Sequence, residues 1–196
     1  MKIRTLVGFY RPLLVVSGIY LVISALLRLG LWWCFGRPAA VAVTQLPWIL
    51  SAGLVNDGVQ LLYLLVPFSL YRWLLPARFF NHPRHRRLLG AVFFLVIFGL
   101  LYLSAAEYFF FDEFDSRFNL VAVDYLIYPH EVLVNIWDSY PVARVILAAL
   151  LFAALLSKLT WRWFAPEAAP LRFRERGRAL VAHLLLVAVA AAGFST

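Results

Sequence analysis

"LLGAVFFLVIFGLLYLSAA", residues 88–106, carries no charged side chain. Its length approaches the roughly 20 apolar residues with which an α-helix crosses a bilayer. The run is one of several. Of the 196 residues, 64% are hydrophobic and 14% charged, where soluble domains run near half apolar and about a quarter charged. A soluble fold of this length has too little interior to hide so much apolar surface. The composition therefore predicts an all-α integral membrane protein, a single membrane domain over residues 1–196.

Working outward from 88–106, apolar runs at about 12–31, 47–70, 142–161 and 179–194 give four more spans, five in all. The first run is long, keeps Arg28 and lacks a clear small-residue cleavage site, so it reads as a span and not as a removable signal. Cys34 is the one cysteine, which excludes an intramolecular disulfide and a paired-cysteine metal site.

The charges alternate with the spans. Lys2, Arg4 and Arg11 precede span one. Arg72, Arg78, Arg84, Arg86 and Arg87 lie between spans two and three. Lys158, Arg162, Arg172, Arg174, Arg176 and Arg178 lie between spans four and five. These are 14 of the 18 basic residues. Basic segments stay on the cytoplasmic side, so the N-terminus is expected inside and the C-terminus outside. The net charge of +8 then reflects topology, with no nucleic-acid partner expected, although basic loops also attract anionic lipid.

Residues 107–141 are expected to face outward, and they hold seven of the ten acids. The segment "EYFFFDEFDSRFNLVAVDYLIYPHEV", residues 107–132, is aromatic as well as charged. Phe114, Phe118, Val121, Tyr125 and Tyr128 are spaced by four, three, four and three, which makes one helical face apolar. Glu113 and Arg117 stand four apart, in the favourable order for a helix pair. Pro129 ends such a helix and also suits the first turn of a second one. The outer loop 107–141 is therefore expected to hold two short interfacial helices, because Tyr and Trp favour the headgroup level.

Arg117, Asn119, Asp124, Tyr125, Glu131 and Asn135 are the candidates there for contact with lipid or with a partner domain; an aromatic belt with solvated acids explains the same residues. Asp124, Glu131 and Asp138 recur at seven, but Pro129 breaks the register, so no metal site is assigned. Within the spans, Arg28, Asn56 and Asp57 stand out, since a charge at mid-bilayer costs roughly 2.5–3.5 kcal/mol on insertion scales. Arg28 and Asp57 read either as a structural ion pair or as the polar wall of a headgroup site. His82 and His85 read as part of a solvated basic loop, and His183 as an interfacial or packing histidine. No catalytic motif is present.

"YFFFDEF", "RFN", "VDYLIYPHEV" and "NIWDSYP" resemble the membrane domain of lipoteichoic acid synthase-like proteins, the phosphoglycerol transferase branch of the sulfatase/alkaline phosphatase superfamily. "GLVNDGVQLLYLLVPF" resembles the family's Gly-x-x-x-Asp pattern, with Asp57 at the acidic position. The resemblance covers nearly the whole chain and implies five spans, a cytoplasmic N-terminus and a bacterial cytoplasmic membrane. It implies an extracytoplasmic catalytic domain after span five, with a threonine nucleophile and a divalent metal of the manganese or zinc type. That domain is missing here, Thr196 is no candidate nucleophile, and no cofactor is expected in this chain. The resemblance implies that the chain anchors and positions such a domain, in cis or on a partner protein, at phosphatidylglycerol-type lipid. A standalone non-catalytic membrane protein that binds lipid or a partner is the alternative, and a small transporter a further one. Five spans do not divide into the inverted repeats expected of a transporter.

Overall fold

The computed structural model describes residues 3–80, 82–119, 123, 129–164 and 171–194. Among them the chain is mostly helix with no strand, and five segments are long and apolar enough to cross a membrane. In hydrocarbon every backbone N–H and C=O must find its partner within the segment, which an α-helix does by itself.

The first crossing is α1 (Ile3–Leu31), prolonged by one wider π turn, Trp32–Gly36. The second is broken. Helix α2 (Leu46–Leu64) stops and α3 (Val66–Leu74) starts across Leu65, because Pro67 brings no amide hydrogen. The third, α4 (Pro83–Phe114), is longer than its apolar run. His82 caps its start, with Nδ1 accepting from the amide of Arg84 at 3.2 Å. After Pro129–Ser139 (α5) come α6 (Val142–Phe164) and α7 (Phe173–Phe194).

Helix α4 packs most extensively on α6, and α1 crosses both. Leu89, Phe93, Ile97 and Ala153 form the buried centre. Ala149 and Ala153 are almost fully buried; small residues let helix backbones approach where lipid supplies no hydrophobic push. The outward faces keep their leucines and valines exposed, as a lipid-facing surface requires. Trp33, Trp48 and Trp137 are exposed at the end that carries residues 107–141, and Trp163 at the opposite end. These are the two depths at which indole rings favour the interface. The first is called the acidic end below, the second the basic end.

The basic end is closed by two buried arginines. Arg176 of α7 donates through Nη1 to the carbonyls of Arg72 and Leu75, at 3.1 and 2.6 Å. These are carbonyls at the end of α3, where a helix presents acceptors and partial negative charge. The guanidiniums of Arg72 and Arg176 both lie over the Phe80 ring, 5.0 and 5.3 Å from its centroid. His85 belongs to this cluster and is not a solvated loop residue. It is buried, with Nε2 2.6 Å from the Tyr71 hydroxyl.

Two expectations for the outer segment are corrected. Helix α4 does not stop at residue 106, because nothing in Glu107–Phe114 breaks a helix. It ends at Asp115, whose left-handed conformation (φ 50°, ψ 24°) turns the chain. Residues 115–119 are accordingly not helical, so Phe114 and Phe118 do not share a continuous helical face and Glu113 does not pair with Arg117. Residues 120–122 and 124–128, which carry the rest of that expected face, lie outside the described residues. The helix beginning at Pro129 is present as α5.

Candidate functional site

The polar residues of the spans form a stripe at the acidic end. On α1, Tyr20, Ser24 and Arg28 recur every four residues and share a face. On α2, Gly53, Asp57 and Gln60, four and then three apart, also share a face. The two stripes meet. Arg28 donates through Nη1 to Asp57 Oδ2 at 2.5 Å and through Nη2 to Asp57 Oδ1 at 2.7 Å, and Nη1 also donates to Ser24 Oγ at 2.8 Å. Tyr20 donates its hydroxyl hydrogen to Gln60 Oε1 at 2.8 Å.

Gly53 is what lets Arg28 lie across α2. A Cβ at that position would run into the Arg28 guanidinium. Glycine one turn before the aspartate therefore opens the seat, and Asp57 at i+4 supplies the counter-charge. Both ions are nearly fully buried, so the fork-to-fork geometry matters: only a well-aligned pair offsets the cost of removing two charges from water.

Above this pair, the turn at Asp115 brings Arg117 back over the last turns of α4. Arg117 Nε donates to Glu107 Oε1 at 2.5 Å. Among the described residues its terminal nitrogens, Nη1 and Nη2, make no hydrogen bond. Arg28, Asn56, Gln60, Tyr63, Glu107 and Arg117 together line a cleft of about 620 Å³, closed on one side by Ala191 of α7. Its two cations each have a carboxylate, so the cleft is electroneutral yet rich in N–H and amide groups. Carboxylates already taken up by guanidiniums are poor metal ligands, and no three His, Cys, Asp or Glu side chains converge among the described residues. These residues do not fit a divalent cation.

The sequence candidates divide. Arg117, Arg28 and Asn56 come together in the cleft, with Asp57 directly behind Arg28. Asn119 does not line it; its Nδ2 donates to Ser116 Oγ at 3.0 Å. Asn135 lines a separate cavity of about 540 Å³ between the end of α4, α5 and the start of α6. There Tyr140 donates its hydroxyl hydrogen to Glu113 Oε2 at 3.1 Å, and Phe109, Phe110 and Phe114 form an aromatic wall. Asp124 and Tyr125 lie outside the described residues, as does the side chain of Glu131. Glu107, Gln60, Tyr63, Tyr20, Ser24 and Gly53 were not expected as site residues. Helical spacing carried the signal for Tyr20, Ser24, Gly53 and Gln60, since polar residues recurring every three or four positions in apolar runs mark one face. No spacing announces Glu107, because its partner reaches it through a left-handed turn.

No family model, curated protein or solved structure matches this chain.

Proposed function

We propose that this chain is the membrane-embedded half of a phosphoglycerol-transferase-like enzyme of a bacterial cytoplasmic membrane. In this reading the N-terminus is cytoplasmic, and the cleft at the acidic end faces outward and seats the headgroup of a phosphatidylglycerol-type lipid. One observation carries the reading: a half-open cleft between spans unites Arg117, with its terminal N–H groups aimed at no described partner, and the amides of Asn56 and Gln60. Guanidinium N–H groups form short, charge-assisted bonds to phosphate oxygens. Amide groups both donate and accept, which suits the hydroxyls of a glycerol headgroup. The spacing of basic residues supports the orientation, and the "YFFFDEF" to "NIWDSYP" resemblance supports the family.

The role is positional. A phosphodiester held at fixed depth and orientation meets an attacking group as though at very high local concentration. Arg28, locked on Asp57 and Ser24, forms a rigid floor. Arg117, on a turn and held among the described residues by its contact with Glu107, is the group that can exchange a carboxylate for a phosphate. The attacking group and its divalent metal belong to a sulfatase-like domain, in cis or on a partner protein.

Two measurements test this. Native mass spectrometry of the chain from mixed phosphatidylglycerol and phosphatidylethanolamine nanodiscs should show selective retention of phosphatidylglycerol. Arg117→Ala should lose that selectivity while the protein stays folded. Equal retention of both lipids, untouched by Arg117→Ala, overturns the headgroup site. Reading the coding sequence past codon 196 tests the enzyme half: an in-frame sulfatase-like domain supports it. An ordinary stop, with no such domain co-purifying, leaves only a lipid-binding membrane protein.

A further inference from the structure

A second cavity, of about 310 Å³, lies between α1, α2 and α4 on the other side of the polar stripe. Its lining is apolar apart from Tyr20. Leu13, Leu61 and Phe93 form a buried floor, and Leu64 and Leu103 stand as exposed rims, 61% and 56% accessible. It is thus a groove open to the side of the bundle. Leu89 and Leu103, 14 positions apart on α4, both line it, so it runs about 21 Å at roughly 1.5 Å per residue. One leaflet of hydrocarbon is about 15 Å deep, half of a core roughly 30 Å thick.

The groove and the polar cleft share a wall. Gln60 lines the cleft and the next residue, Leu61, lines the groove. Tyr20, at the groove's edge, is hydrogen-bonded to Gln60. We infer that the groove holds one acyl chain of a glycerophospholipid whose headgroup sits in the cleft, with the Tyr20–Gln60 bond as the lintel between the two compartments. This rests on the headgroup reading of the cleft. Burial alone does not select the groove, because bulk lipid is equally apolar. What selects it is packing on a rigid buried floor, together with the tether: a chain attached to a headgroup already bound next door is at high effective concentration.

Gly99 supplies the test. It lines the groove, and a Cβ there meets nothing within 4 Å. Gly99→Leu therefore puts a side chain into the groove at a position whose Cβ has room. Gly18 of α1 lines neither cavity and is equally open, so Gly18→Leu is the control. The probes are phosphatidylglycerol and diacylglycerol, each with a photoactivatable diazirine in the lower half of one acyl chain, in nanodiscs with cross-links mapped by mass spectrometry. With the phosphatidylglycerol probe, labelling should concentrate on Leu61, Leu64, Val92 and Val96. Gly99→Leu should lower it roughly ten-fold, the equilibrium effect of about 1.4 kcal/mol, and Gly18→Leu should leave it unchanged. Labelling spread evenly over the outer faces of the bundle, or indifferent to Gly99→Leu, overturns the groove. The cleft reading fails separately. If both probes label the groove equally and Arg117→Ala changes neither, the groove stands as a chain site and the headgroup site does not. If lipid selectivity persists in Gly99→Leu with no groove labelling in the parent protein, the reverse holds.

Discussion

Arg28 and Asp57 are joined at both prongs, Nη1 to Oδ2 at 2.5 Å and Nη2 to Oδ1 at 2.7 Å, with 9% and 2% of their side chains exposed. Removing one partner leaves the other charged and buried. Asp57→Ala is therefore expected to cost about 3–5 kcal/mol, read as unfolding in mixed micelles. Arg28→Met combined with Asp57→Leu removes both charges and should recover most of that loss, since apolar replacements of a buried pair are often neutral. A double variant no more stable than Asp57→Ala contradicts the assignment of the loss to an unpaired charge.

The same pair makes a prediction for a residue with no side chain. Gly53→Ala introduces a Cβ into the space of the Arg28 guanidinium and should cost about 1–3 kcal/mol, the usual range for overpacking. Gly58→Ala on the same helix meets nothing within 4 Å. It should be neutral or stabilising by up to roughly 1 kcal/mol, the helix-propensity difference between the two residues. Equal effects at both positions indicate that only propensity is being measured.

These two cases show what was legible. Five spans follow from long, predominantly apolar runs, because a crossing segment has to be apolar along most of its length. Arg28 and Asp57 stood out for the converse reason, as costly exceptions within such runs. The end of α4 was not legible. Glu107–Phe114 mixes acids with aromatics, which reads equally well as helix or interfacial loop, and the helix simply continues beyond its apolar part. The turn that ends it rests on one left-handed residue, Asp115, and aspartate adopts that conformation only occasionally. The Glu107–Arg117 contact, and with it the cleft, follows from that turn. The groove was hidden too, since leucines facing a neighbouring helix and leucines facing lipid are written alike.

His183 was read as an interfacial or packing residue, but α7 carries it alongside the break in span two. Its Nε2 lies 3.0 Å from the carbonyl oxygen of Leu62 and its Nδ1 2.9 Å from Ser69 Oγ. A carbonyl only accepts, so Nε2 carries the hydrogen, and Nδ1 of the neutral ring then accepts from the serine hydroxyl. Leu62 precedes the interruption at Pro67, so the imidazole satisfies a carbonyl near a break in the helical ladder. His183→Leu leaves that acceptor and Ser69 without this partner and should cost about 1–3 kcal/mol. Ser69→Ala should cost less, because the Leu62 bond survives it. Coupling between the two substitutions in a double-mutant cycle checks the shared network; strict additivity speaks against it.

The orientation yields the last prediction. Cys34 is the only cysteine in the chain and is exposed, so Cys34→Ser provides a cysteine-free background. In it, Ser116→Cys places a thiol in the non-helical turn at the acidic end, and Arg84→Cys places one in the first turn of α4 at the basic end. Arg84 is exposed and Ser116 partly exposed. Segments rich in arginine are retained in the cytoplasm, whereas acidic residues have little influence on orientation. A membrane-impermeant maleimide should accordingly label Ser116→Cys in intact cells and Arg84→Cys only after permeabilisation. The same result places the Arg117–Glu107 contact within reach of outer-leaflet headgroups. Labelling of Arg84→Cys in intact cells, with Ser116→Cys protected, reverses the orientation. It would put the cleft on the cytoplasmic leaflet, where an extracytoplasmic phosphoglycerol transfer could not use it.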